Sequence, residues 1–220
     1  MDNPSKIIEG SVEYSLGEFD GKHVLYDFPK ILTYLDAKGK ILFGKKFRIY
    51  DEDKPILLRL CYYIIRDKEN CEKYEIDIDK GILLSGPVGC GKTSLMKLLR
   101  YIVPHHRPYE MIPCRNVAFG FNHLGFKTVE DYGNIKFYCF DDLGVEPAGR
   151  FYGKDLNVMG EVLLSRYELY LNTKRKIKTH ATTNLNAEEL EERYGNRVRS
   201  RMRELFNLIA FDKGAGDKRK

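Results

Sequence analysis

The chain has no Cys-x-x-Cys pair. Its five cysteines, Cys61, Cys71, Cys90, Cys114 and Cys139, are scattered and odd in number. That pattern excludes the common zinc-binding spacings and a disulfide framework. No apolar run reaches the ~18 residues of a membrane span, and residues Met1 to Ser5 open without the charged-then-apolar pattern of a secretory leader. A soluble, cytoplasmic protein with no membrane partner is therefore expected. Repeats and low-complexity tracts are absent too. Nor is there a strong charge bias: 37 Lys and Arg against 32 Asp and Glu give a net +5, too mild to indicate nucleic acid by itself. The 220 residues, 43% of them hydrophobic, leave room for one ordinary domain with an extension, or two small ones, around a full core.

What is present is concentrated in one segment. Gly86, Pro87, Val88, Gly89, Cys90, Gly91, Lys92 and Thr93 form the pattern G-x-x-x-x-G-K-T, followed by Ser94. The apolar run 82–84 before it reads as a buried strand. Residues 94–103 after it carry apolar side chains at helical spacing and are closed by Pro104. A strand turning sharply into a helix leaves the first helical amides unpaired and outward-facing, which suits phosphate oxygens. Lys92 adds a positive charge for the β- and γ-phosphates, and Thr93 offers a hydroxyl to Mg²⁺. An ordinary glycine-rich turn has no need of Gly-Lys-Thr. Cys90 occupies a tolerated position of the loop, or is a redox-sensitive thiol within it.

The rest of the chain alternates strands and helices. Residues 1–50 are broken by Gly10, Gly17, Gly21, Gly39 and Gly44, and read as a small extension with a helix near 28–37. Pro55 opens a helix over 56–66. One or two strands are expected within 109–121, a short helix over 126–132, a strand over 135–140 and a helix over 155–171. A strand over 179–183 follows, then a helix over 187–194 capped by Asn186, another from about Arg197, and a closing strand at 208–211. This order predicts a mainly parallel sheet with helices on both faces.

The strand before Asp141 and Asp142 ends in two carboxylates. Phosphoryl chemistry needs an acid at a strand's carboxyl edge to hold Mg²⁺, and Asp141 fits; Asp142 is then placed to orient the attacking water. Alone, two such acids would read as a polar turn; downstream of a phosphate loop they read as function. Asn184, ending the 179–183 strand, can present an amide between γ-phosphate and water, although in isolation it is as readily a turn or cap residue. Basic residues cluster at Lys174, Arg175, Lys176 and Lys178, along 193–203, and in the tail 213–220. On a helix, Arg197 and Arg201 share one face, Arg199 and Arg203 the opposite one, and Val198, Met202 and Leu205 point to the core. Spacing alone leaves two readings of the arginines: a solvated face, or a finger onto a neighbour's γ-phosphate worth ~10³–10⁵ in rate.

Together these segments resemble the AAA+ ATPases of the DnaC/IstB type, the replicative helicase loaders and transposition helper ATPases. The carriers are 86–93, Asp141 to Gly144, Leu163 to Tyr167, Thr179 to Leu185 and Tyr194 to Met202. The resemblance covers roughly residues 50–212. It implies an α/β P-loop NTPase fold: a three-layer sandwich with a mainly parallel sheet, no separate lid domain and a small N-terminal extension. On this reading residues 1–50 are the extension, a possible partner-binding element, 51–212 the ATPase domain, and 213–220 a flexible basic tail. It further implies ATP and Mg²⁺ as cofactors, catalytic roles for Asp142, Asn184 and Arg201 (the last in trans), and self-association into a ring or spiral on single-stranded DNA. The client would be a replicative helicase or, in the helper branch, a transposase. Arg150, Phe151, Tyr152 and Lys154 stand where loaders line the DNA channel, and stacking on aromatics beside basic groups contributes ~1–3 kcal/mol per base. The same residues equally suit a hydrophobic corner holding the next helix. Two departures bear on mechanism. Asp142 stands where many AAA+ proteins carry Glu, which implies slow, switch-like turnover or a nucleotide-gated adaptor with little hydrolysis. No sensor 2 arginine follows Phe211.

Overall fold

A computed structural model describes residues 3–103, 109–174, 176–212 and 214–218. Its contacts divide the chain into two compact units, Met1–Glu75 with Ser94–Arg107, and Ile76–Thr93 with Pro108–Lys220. Pro104, Arg175, Lys213, Arg219 and Lys220, which figure in the expected helix stop, basic cluster and tail, lie outside the described residues.

The first unit opens with two antiparallel hairpins: β1 (Lys6–Glu9) with β2 (Val12–Ser15), and β3 (Gly17–Phe19) with β4 (Val24–Tyr26). Asp27 then caps α1 (Phe28–Phe43), its carboxylate accepting the Lys30 N–H at 3.0 Å, with Pro29 in the first turn. The helix outruns the expected 28–37 because Gly39 is not a breaker. A Cβ there would lie 2.1 Å from the Phe47 ring, so the glycine serves close packing. Glu9 ties α1 to β1, accepting from Tyr34 at 3.1 Å and Lys38 at 2.6 Å. After a 3₁₀ turn (Asp51–Asp53) come α2 (Lys54–Ile65), with Pro55 in its first turn as the sequence predicts, and α3 (Lys68–Lys73). Ile31, Tyr34, Leu35, Leu57, Leu60, Cys61 and Cys71 are buried here.

The second unit is built on a five-stranded, wholly parallel sheet. Its strands are β5 (Gly81–Ser85), β6 (Glu110–Pro113), β7 (Tyr138–Asp141), β10 (Thr179–Thr183) and β11 (Phe206–Ala210), in the order β11-β5-β10-β7-β6. Between β5 and β6 in the chain lies α4 (Lys92–Leu99), shorter than the expected 94–103 and, from Ser94 on, part of the first unit. Residues 114–121 are helical, not strand: Cys114, Val117, Ala118 and Phe121 form a buried stripe at helical spacing on α5 (Cys114–Leu124). The short helix α6 (Phe126–Tyr132) stands where expected. The strand expected from 135 begins at Tyr138, because Ile135 is exposed. The helix expected from 155 begins at Val158, since residues 149–156 form an antiparallel hairpin, β8 (Gly149–Phe151) and β9 (Lys154–Leu156). Its turn, Tyr152 at φ 48 and Gly153 at φ 76, has both central residues left-handed, the geometry that matches strand twist. The last helices are α7 (Val158–Asn172) and α8 (Ala187–Leu205), the latter opened by a capping box between Asn186 and Glu189 and kinked at Gly195.

One core joins Leu83, Phe140 and Ala181 of the sheet to Val117 and Phe121 of α5, Met159 and Leu163 of α7, and Val198, Met202 and Leu205 of α8. The central strand β10 reads Thr-His-Ala-Thr-Thr, all buried, and most of its polar side chains have assigned partners. Thr179 accepts from Arg166 at 2.9 Å, His180 Nδ1 accepts the Ile82 N–H at 3.1 Å, and Thr183 donates to the Leu143 carbonyl at 2.7 Å. Such pairing is what lets a polar sequence hold the middle of a sheet.

Candidate active site

Because β10 lies between β5 and β7, the carboxyl ends of these three strands are neighbours, and the loops leaving them meet. The loop after β5 is the Gly86–Thr93 motif. Its Gly89 (φ 84) and Gly91 (φ 102) adopt left-handed backbone that a side chain would strain. Lys92 opens α4 and is buried; its ammonium donates to the Gly86 and Pro87 carbonyls, each at 2.8 Å. The loop is pinned to β10 by the Gly86 N–H on the Thr183 carbonyl, 3.2 Å.

At the end of β7, Asp141 Oδ1 accepts from Thr93 Oγ1 at 2.9 Å and from Thr182 Oγ1 at 2.7 Å. Thr182 in turn accepts the Asp142 N–H at 3.0 Å. One buried hydroxyl therefore orients both acids. Asp142 has φ 57 and an exposed position, so its carboxyl group is at the surface while Asp141 is half-buried. Asn184 follows directly on β10, and its Oδ1 is buried with no hydrogen-bond partner. An orphaned buried acceptor carries a cost unless something else satisfies it.

These observations test the residues against a nucleotide and Mg²⁺. A hydroxyl and a carboxylate within hydrogen-bond reach of each other are oxygen donors suited to Mg²⁺. The glycine loop leads into the N-terminus of α4, a setting for phosphate oxygens, and Asn184 presents an unpaired carbonyl at the end of the neighbouring strand. The residues fit the group. No cluster of three or more His, Cys, Asp or Glu that could hold a metal ion occurs among the described residues.

Not every expected site residue joins this cluster. Arg201 lies on the last turns of α8, its guanidinium 3.5 Å from Glu204 and 4.7 Å over the Tyr167 ring. Its described contacts are with these residues and not with the phosphate loop. Arg150, Phe151, Tyr152 and Lys154 fall on the β8–β9 hairpin. Phe151 stacks edge-on against Phe121 at 6.0 Å and anchors the hairpin, whereas Tyr152 is 91% exposed at its tip. Arg150 is exposed and lies 3.5 Å from Asp155. The hairpin thus combines a packed corner with an exposed aromatic and basic edge.

Sequence reasoning missed three contributors. Thr182 was read only as strand; a hydroxyl two residues before Asn184, where a central strand would ordinarily carry Val or Ile, is the signal that marks it. Glu146 is buried and accepts from the Gly144 N–H at 2.8 Å and the Tyr194 hydroxyl at 2.7 Å, with Arg193 at 3.5 Å, tying the turn after the acids to α8. Burial and this carboxylate push the Tyr194 hydroxyl far above its ordinary pKa. Arg166, fully buried on α7, donates to Thr179 and to the carbonyls of Tyr132, Asn134, Lys136 and Lys178, holding the starts of β7 and β10 together. Burial lowers its pKa to about 10.

The parallel sheet, the strand order and the glycine loop between β5 and α4 define the class: an α/β P-loop fold. Among solved structures, the chain is similar in fold to the DnaC helicase loader, with 19% identity over 76% of this chain and 94% of that one and a TM-score of 0.53. A candidate primosome component from Streptococcus pyogenes serotype M3 is similar to the same degree, with 16% identity over 76% of this chain and 83% of that one and a TM-score of 0.52. At these identities the likeness is one of fold. No protein-family model and no curated protein sequence matches the chain. No described helix is long and apolar enough to cross a membrane.

Proposed function

We propose that the chain is a cytoplasmic ATP hydrolase that assembles on single-stranded DNA and delivers a replicative helicase to it. The observation that carries the nucleotide half is the Thr93–Asp141 hydrogen bond at 2.9 Å, which joins the phosphate loop to the acidic strand end. The loop amides and Lys92 bind the phosphates, Lys92 exchanging its two carbonyl partners for phosphate oxygens. Thr93 and Asp141 would hold Mg²⁺, which would neutralise the charge that builds on the transferred phosphoryl group. Asp142 accepts the proton of the attacking water, and the Asn184 amide orients that water. Arg201 acts on the γ-phosphate of a neighbouring subunit. The fold likeness to a helicase loader supports the choice of client, with residues 1–50 as the element that meets it. The β8–β9 hairpin offers Tyr152 and Arg150 to the DNA.

The test is ATP turnover measured against protein concentration, with and without single-stranded DNA. Turnover per protomer should rise with concentration and with DNA. It should fall at least ~10³-fold in Arg201→Ala, and vanish in Lys92→Ala. DNA affinity should drop with a log–log salt slope of about −0.7 per phosphate neutralised. A rate strictly linear in protein and indifferent to DNA and to Arg201 would remove the assembly. Tight ATP binding with negligible turnover under every condition would select a nucleotide-gated adaptor instead.

A further inference from the structure

The chain beyond β11 returns to the phosphate loop. Phe211 is buried, and its N–H donates to the Ser85 carbonyl at 2.8 Å, extending the pairing of β11 with β5 by one residue. Its side chain covers Gly86: a Cβ on that glycine would lie 2.7 Å from the Phe211 Cβ. Gly214, Ala215 and Gly216 are small residues in succession, and the Ala215 N–H donates to the Asp212 carbonyl at 3.0 Å. Lys218 then grips the loop twice. Its N–H donates to the Gly89 carbonyl at 3.1 Å and its ammonium to the Cys90 carbonyl at 3.0 Å, with the same ammonium 5.4 Å over the Phe211 ring.

Asp217 is the informative residue. A Cβ placed on Gly89 would meet Asp217 Oδ1 at 2.1 Å and Cγ at 2.3 Å. The carboxylate therefore fills the space that the missing side chain of a phosphate-loop glycine leaves open. Glycines stand in such loops so that an anionic oxygen can approach the backbone, and a carboxylate has the charge sign and acceptor oxygens of that ligand. Together with Lys218 on the adjacent carbonyls, it clasps the same stretch of loop on which a triphosphate would draw.

We infer that the segment following β11 is a built-in competitor for the phosphate loop. Asp217 stands in for a phosphate, Lys218 clamps the loop, and ATP must displace both. This rests on the ATP-binding reading above. Apparent affinity is then reduced by the fraction of molecules whose loop is open, so a clasp closed about nine-tenths of the time weakens ATP binding about tenfold.

The test is isothermal titration of Mg²⁺–ATP into the full chain, the Asp217→Ala/Lys218→Ala double variant, Asp217→Asn and Lys92→Ala. Hydrogen exchange of the 214–218 amides is followed in parallel. The double variant is expected to bind ATP about tenfold more tightly and Asp217→Asn to gain part of that. The Lys218 amide should exchange faster when ATP is added to the full chain. Unchanged affinity in the double variant overturns the inference. So does weaker affinity, which would make Lys218 a nucleotide contact, and so does stronger protection of the Lys218 amide with ATP. Absence of ATP binding in all four proteins would instead refute the ATP-binding reading itself. Loss of binding confined to Lys92→Ala leaves that reading standing whatever the clasp does.

Discussion

Thr182 is the residue on which the geometry of both acids depends, and Thr182→Val removes its hydroxyl with almost no change of shape. The side chain is fully buried, donates to Asp141 at 2.7 Å and accepts the Asp142 N–H at 3.0 Å. Losing a hydrogen bond to a charged acceptor costs ~1.5–3 kcal/mol, and stripping the acceptor from a backbone N–H adds ~1–2 kcal/mol. The valine methyl returns about 0.8 kcal/mol of apolar burial. The net loss is about 2–4 kcal/mol, which for a chain of this size lowers Tm by roughly 5–12 °C. Thr182→Ser keeps both hydrogen bonds, sheds one methyl group and should cost only ~1 kcal/mol.

Function should separate the two variants more sharply than stability. With its N–H unpaired, Asp142 loses the contact that fixes its left-handed backbone, and general-base assistance of this kind is worth ~10²–10⁴ in rate. Thr182→Val should therefore turn over ATP at least ~10²-fold more slowly while still binding it, and Thr182→Ser should stay within a few fold of the original chain. Thermal melts and steady-state phosphate release, with ATP affinity measured alongside, decide the matter. If the valine variant melts within about 1 °C of the original chain and hydrolyses ATP normally, the hydroxyl does not organise the acids.

Other parts of the second unit make equally definite claims. Arg166→Met fills the volume but strands the carbonyls that the guanidinium now satisfies, so a loss of about 3–5 kcal/mol is expected from urea unfolding. His180 is buried, and burial followed by the charges of Lys178 and Arg166 lowers its pKa to about 3. Below the ordinary value of 6.5 the unfolded chain takes up this proton and the folded one does not. Stability tied to His180 is therefore intact above pH 6.5 and falls as pH drops toward 3, by up to ~1.4 kcal/mol per pH unit. The difference in stability between the original chain and His180→Asn, measured from pH 8 to pH 4, should show that slope, and a flat difference would refute it. Glu146→Gln exchanges one of two engaged carboxylate oxygens for a donor, and should cost ~1–3 kcal/mol. A double-mutant cycle with Tyr194→Phe should return a coupling above about 0.5 kcal/mol, and additivity would dissolve the link between the acid turn and α8.

How much of this was legible in the sequence depended on whether the signal was local. The glycine loop, the Asn186 cap, α6 and the 179–183 strand are each written in a few adjacent residues, and each stands where the sequence places it. The arginine helix also projects as expected, with Val198, Met202 and Leu205 buried. Errors arose where a local signal was outvoted by packing. Gly39 has the look of a breaker, yet it answers to the Phe47 ring. Residues 114–121 are rich enough in apolar side chains to pass for strand, yet their burial follows helical spacing. The β8–β9 hairpin hides because its turn uses Tyr152, not a second glycine, at a left-handed position. Thr182 leaves only a faint mark, a hydroxyl where a central strand ordinarily carries Val or Ile, and its partner lies 41 residues away; Glu146 and the Asp217–Lys218 clasp leave none, with partners 48 and 128 residues away in the chain.

On the proposed function, the distribution of partners around the site predicts that an assembly, and not a lone subunit, sets the rate. Lys92 is held by two carbonyls of its own loop, Thr93 by Asp141, and Arg201 by Glu204 and the Tyr167 ring. On that function each would exchange an internal partner for a nucleotide oxygen or for Mg²⁺. The first two exchanges are made by binding, since the loop and strand end that present them are already side by side. The third is different in kind. Arg201 is half-exposed on α8 beside a likewise half-exposed Glu204, and a more strongly charged group would be needed to draw it away. On the function proposed here, a neighbouring subunit carrying a triphosphate would supply that charge. If so, binding would be a property of the single chain and hydrolysis a property of the contact between chains, and Lys92→Ala and Arg201→Ala should fail at different steps. Doping Arg201→Ala protein into the original chain should depress turnover in the original subunits too. If each subunit's rate stays unaffected by its neighbours, Arg201 is part of a solvated face and nothing more.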